Sequence, residues 1–160
     1  MWKALHATMH SVMGLSTVNR EKYTALLPKL YEHQVLTREQ TVKGISSFLH
    51  EFDDFVIDVP LLAGYFSTIL ANLFVHNVFE GDVRFITTLP EENDFTLSMR
   101  MMSVIVQTAV TIKSLSDETK ALEFFKSAVD LSTIDNMQKE QLAEAVEKYE
   151  GQFLQVRVRE

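Results

Sequence analysis

The chain has 160 residues, 46% of them hydrophobic, with a formal net charge of -7 and no cysteine. That length and mixture describe about one folded domain and exclude a disordered tail, and the lack of cysteine excludes disulfides and thiolate metal sites and fits a reducing compartment. No block of Lys and Arg stands out, so strong direct binding to nucleic-acid phosphates is not expected; an acidic chain suits a basic protein partner better.

Apolar spacing is helical nearly throughout, and no alternating run is long enough to make a sheet. Breakers and caps place about seven helices, near 2–13, 17–34, 38–52, 60–79, 95–113, 117–130 and 137–153. The opening MWKALHATMHSVMG has neither the long apolar core nor the small-residue cleavage site of a signal peptide. Its helix carries His6 and His10, four apart on one face, the spacing of two zinc ligands on a helix. Ala7 stands where the accompanying acid would be, and no third ligand is indicated. Ordinary surface or half-buried histidines are expected, with no metal and no cofactor.

Pro28 lies within the second helix and is expected to kink or divide it. Thr37 and Gln40 make a capping box for the third. The stretch HEFDDFVIDVP then sets Glu51, Asp53, Asp54 and Asp58 around an apolar run. Asp58, just ahead of a helix opened by Pro60, is expected to cap it. Asp53 and Asp54 are expected at the end of the preceding helix, where carboxylates oppose the dipole. A local cost without a local return suggests acids kept for an external partner. A calcium loop counted from Asp53 fails, because Asp58 and Gly64 stand where the glycine and the bidentate glutamate belong.

Val59 to Phe79 carries no Asp, Glu, Lys or Arg, a length that could span a bilayer. Pro60, Gly64, Asn72, His76 and Asn77, with Asp58 and Glu80 at the ends, point instead to a buried central helix, apolar on nearly every face from Leu61 and Leu62 to Phe74. The longest irregular piece, Glu80 to Asp94, contains Gly81, Pro90 and an acidic run. Ser116, Asp117 and Glu118 start the sixth helix. Residues 156–160 read as a frayed tail, and 1–155 as one domain. Short turns between consecutive helices imply an all-α stack of antiparallel hairpins, an α-solenoid. With no glycine-rich phosphate loop, G-x-S-x-G or H-E-x-x-H, an enzyme is not expected.

The residues Arg20-Glu21, Leu26-Leu27, Leu36-Thr37, Gly44, Phe48-Leu49, Asp54 and above all Ile57-Asp58-Val59-Pro60 carry a resemblance. From Asn19 to Phe74 the chain resembles the later helices of the MA-3 (MA3) domain, a HEAT-like helical domain of the translation initiation factor 4G scaffold family and of programmed cell death protein 4. Tyr65-Phe66 fit the scaffold members better, and beyond Phe79 the likeness loosens to Leu89-Pro90 and Asn136-Met137-Gln138-Lys139. The family's acidic opening helix pair has no counterpart upstream of Trp2: the chain is either a divergent member or a piece that starts inside the domain. In the second case the first helix should bury Trp2, Leu5, Met9 and Met13 only partly, or against a neighbouring chain. The resemblance implies a cytoplasmic protein-binding module of translation initiation. It implies that Asp54 and Asp58, with Asp53 and Glu51 adding to the field, face basic residues of the DEAD-box helicase initiation factor 4A. Some relatives have lost that partner, which leaves a structural or adaptor module of a 4G-like scaffold as the alternative.

Overall fold

Eight α-helices and two short 3-10 turns, without a strand, make up the described residues of the structure, a computed structural model that describes residues 1–14, 16–59, 61–87 and 99–155. The fold is all-α. It falls into two compact units, Met1–Glu80 and Gly81–Glu160.

The first unit holds α1 (Trp2–Met13), α2 (Thr17–Glu32), α3 (Arg38–His50), α4 (Phe52–Asp58) and α5 (Leu62–Val75). Leu5, Met9, Val12 and Met13 recur at helical spacing and bury one stripe of α1. That stripe faces α3, while α2 packs chiefly on α5. The approach of α1 to α3 depends on Gly44. A β-carbon built there would lie 2.7 Å from Leu5 Cδ2, 3.1 Å from its Cγ and 3.2 Å from its Cβ. Thr37 and Gln40 open α3 with the expected reciprocal capping box. Phe48, Phe52 and Phe66 form the aromatic centre, with ring centroids of Phe66 5.3 Å from Phe48 and 5.8 Å from Phe52. All three are buried.

Pro28 does not divide α2, which continues to Glu32 with Leu27 and Pro28 both buried. The turn around the proline is held by packing where it cannot be held by a hydrogen bond. Two helices of this unit end on a residue in the left-handed region, Gln34 (φ 59) after α2 and Asn77 (φ 61) after α5. The next amide in each case, Val35 or Val78, donates back to Leu30 O at 2.9 Å or Leu73 O at 3.1 Å. This satisfies carbonyls that the helix end would otherwise leave open.

The second unit holds a 3-10 turn at Arg84–Ile86, then α6 (Met99–Leu115), α7 (Glu118–Ala128) and α8 (Asn136–Lys148), and a closing 3-10 turn at Gln152–Leu154. Asp117 caps α7 by accepting from the Lys120 amide at 2.8 Å. Asp135 and Gln138 form a capping box for α8 that the sequence reading did not identify. α6 packs on both α7 and α8, burying Val104, Ile105, Ala109, Ile112, Phe124, Phe125, Leu142 and Val146. The Val83 amide donates to Ser127 Oγ at 2.9 Å and Thr87 Oγ1 donates to Ala128 O at 2.9 Å, tying the first turn of the unit to α7.

Buried hydroxyls in both units are satisfied within their own helices. Thr24, Thr41 and Thr108 each donate to the carbonyl one turn back, at 2.8, 2.8 and 2.6 Å.

Several expectations change. The third helix stops at His50, and a separate short helix, α4, follows. The expected 60–79 helix is Leu62–Val75, and Leu61, expected in the core, is 66% exposed. Leu5, Met9 and Met13 are buried, not partly exposed, because α3 covers them; Trp2 alone of that group is half-exposed, beside the Lys3 and Lys43 ammonium groups. Pro60, Pro90, the acidic run 91–94 and the tail 156–160 lie outside the described residues.

Gly44→Ala should destabilise the first unit by about 1–3 kcal/mol, since the new methyl meets the stem of Leu5 and not only its flexible tip. Urea unfolding of both proteins measures this. A double-mutant cycle with Leu5→Ala, in which the double variant loses less than the sum of the two single losses, would place the clash at this pair.

Candidate functional site

The acidic stretch is an elbow between α3 and α5. Glu51 closes α3 and opens α4, with φ -102 and ψ 0, and its amide donates to Phe48 O at 3.1 Å. No glycine or proline makes this break. The backbone turns at Glu51 in the bridge region, and the Glu51 carbonyl accepts from the Phe55 amide at 2.9 Å to begin the next helix. Phe48 and Phe52 both reach the core across the bend.

The turn reverses the electrostatics expected from the sequence. Asp53 and Asp54 lie in the first turn of α4, where carboxylates are favourable, and not at the end of α3. Asp58 is the last residue of α4, where a carboxylate opposes the dipole. It does not cap α5, whose N-cap is Leu61 with no side-chain hydrogen bond. Glu51, Asp53, Asp54 and Asp58 are all exposed, and among the described residues Asp54 and Asp58 make no ion pair. Between and beside them stand Ile57, 70% exposed, and Leu61, 66% exposed. The elbow therefore presents carboxylates around two apolar side chains. The sequence reading missed the exposure of Ile57 and Leu61, because an apolar residue beside an apolar helix reads as core.

Glu51 also faces the first helix. Its Oε2 lies 3.1 Å from His6 Nε2 and within a shorter hydrogen bond of His10 Nε2. His10 in turn lies against Phe55 and Phe48, ring centroids 4.7 and 5.2 Å away, and His6 is 5.0 Å from His10. The third group expected to be missing beside the two histidines is present, and it is Glu51. Their spacing of four was legible in the sequence, but the partner 41 and 45 positions on was not. The hydrogen bond from His10 is the largest influence and holds the Glu51 carboxyl below its usual range; desolvation opposes it, and the His6 hydrogen bond and the charge of both rings add to the lowering.

A shallow pocket elsewhere in the unit, between α2 and α5, is lined by Arg20, Glu21, Thr24, Tyr65 and Thr68. The Arg20 guanidinium lies 3.6 Å over the Tyr65 ring there.

Paired helices closed on an aromatic core, with polar and apolar side chains offered from a short segment between them, make a helical protein-interaction module. Residues 2–80, the span of the first compact unit, match the MA3 domain family. MA3 domains are helical protein-interaction domains of translation-related proteins. The match takes in α1, ahead of the Asn19 start of the visible resemblance, and ends with the first compact unit. No curated protein and no solved structure matches the chain. Among the described residues no helix is long and apolar enough to cross a membrane.

Folding depresses the Glu51 pKa, so its contribution to stability is present above the ordinary glutamate value and lost as pH falls through the depressed one. The melting temperature of the wild type should therefore fall more steeply on acidification below the ordinary glutamate range than that of Glu51→Gln. The difference is small for so exposed a group. Thermal melts followed by circular dichroism across that range test it, and parallel curves would show that the histidine contacts contribute nothing.

Proposed function

We propose that the elbow docks a basic protein surface, and that the partner is the DEAD-box helicase initiation factor 4A, engaged in the cytoplasm where translation starts. The observation that carries this reading is the grouping of exposed carboxylates around exposed Ile57 and Leu61 on one short helix and its exit. Interfaces concentrate binding energy in apolar anchors ringed by polar groups, and complementary charge steers the approach. The acids offer the charge and the two aliphatic residues the anchor. Asp58 supports the reading most directly, since its place at the end of α4 costs the helix a little and gives no cap in return. Catalysis would belong to the helicase, and the module would act by favouring one of its conformations.

One observation favours the second reading, a structural or adaptor module of a 4G-like scaffold that binds another protein. Asp53 and Asp54 are already accounted for by the positive end of α4. They need no partner to explain them.

The two readings separate by mutation. Asp54→Lys should weaken helicase binding by about 2 kcal/mol, as repulsion replaces attraction at the interface. It should also cost the fold roughly 0.3–1 kcal/mol, because a cation then stands at the wrong end of α4. Ile57→Ser should reduce affinity by more than about 1 kcal/mol with little effect on the melt, as an exposed anchor would. Calorimetric titration with the helicase at two salt concentrations, beside a thermal melt, measures both. Unchanged helicase affinity in both variants would leave the adaptor reading standing.

A further inference from the structure

The geometry points to a second site in the same unit: His6, His10 and Glu51 bind a divalent transition-metal ion, with zinc the best match to the donors. The docking proposal is tested at Asp54 and Ile57, which leaves these three side chains untouched, so the two proposals can fail separately although Glu51 belongs to both.

One nitrogen of each histidine and one carboxylate oxygen of Glu51 all lie within 4.8 Å of one another. Donors held about 2.0–2.1 Å from a tetrahedral zinc ion stand roughly 3.4 Å apart. The 3.1 Å between His6 Nε2 and Glu51 Oε2 already falls near that spacing; the shorter His10 contact opens, and the two ring nitrogens, within 4.8 Å of each other, adjust by rotations of exposed or half-buried side chains. Two imidazoles and one carboxylate are also the protein ligands of a familiar kind of zinc site, one that keeps a further position for water or an incoming ligand. With His6 and His10 half-buried and Glu51 exposed, that position faces solvent.

An ordinary ion pair explains the arrangement less well. Both histidines direct Nε2 at the same oxygen, Oε2, and not at one oxygen each. Were both rings protonated, two cations with centroids 5.0 Å apart would share a single charge. A divalent ion takes the place of the two N–H protons, uses the neutral rings as lone-pair donors and removes the repulsion between two charged rings.

The scaffold around the ligands is built for fixed positions. His6 and His10 lie one turn apart on α1, which Gly44 allows to sit close on α3. Glu51 is placed by the bend that ends α3. Phe48 and Phe55 flank the His10 ring and give it an apolar wall. An ion here would join α1 to the elbow across more than 40 positions of sequence, so binding should stabilise the folded unit.

The test is calorimetric titration of the full chain, stripped with chelator, with zinc sulfate near neutral pH, together with thermal melts and the visible spectrum of the cobalt-loaded protein. One ion per chain, a rise in melting temperature and cobalt bands of a four- or five-coordinate site are expected. His6→Gln and Glu51→Gln should each weaken zinc binding at least about tenfold, while His33→Gln and His50→Gln should leave it unchanged. His6→Gln is the variant of first choice because His10, packed on two phenylalanines, also serves the fold. Zinc uptake that survives His6→Gln and Glu51→Gln undiminished, or no stoichiometric uptake by the wild type, overturns the site.

Discussion

The first unit is organised by one missing methyl. Gly44 leaves a notch in α3 into which the Leu5 side chain settles, and this lets α1 lie closer than side chain against side chain would permit. Leu5, Met9, Val12 and Met13 are sealed by that approach. Because residues four apart share a helical face, the same rotation and height that seat Leu5 also carry His6 and His10 to the end of α3. The histidine contact with Glu51 is thus a result of core packing as much as of charge.

The elbow divides its carboxylates among different tasks. Asp53 and Asp54 strengthen the start of α4, Asp58 weakens its end, and Glu51 is already committed to two rings. Equal exposure does not make these acids equivalent. A cationic partner would meet unopposed charge at Asp58, and a field reduced by the histidines at Glu51. Any group held by His6, His10 and Glu51 and any partner held by the elbow draw on one carboxylate, so binding of each must alter the other by the same factor.

Local signals were legible in the sequence and distant ones were not. The first helix, the Thr37 and Gln40 capping box and the start of α7 rest on interactions spanning three or four residues, and the sequence displays them. The break at Glu51 carries no glycine or proline. It follows from placing both Phe48 and Phe52 in the core, which only packing decides. From that missed break came the inverted dipole of Asp53 and Asp54 and the cap wrongly given to Asp58. Leu61 illustrates the same limit, since its neighbours Leu62 and Phe66 are buried and only the position of the helix start turns it outward. Glu51 as partner of the histidines depended on two elements meeting in space, and nothing local marks such a meeting.

The self-contained hydroxyls of Thr24, Thr41 and Thr108 bear on how this core yields. Each polar atom is answered inside its own helix, so sliding one helix along another breaks none of these bonds. Register between α1 and α3 is kept by the fit of Leu5 into its notch, a steep but short-ranged restraint. Sliding α1 along α3 would lift Leu5 from that notch and part His6 and His10 from Glu51, so resistance to shear lies in these few contacts between helices and not in the buried hydroxyls.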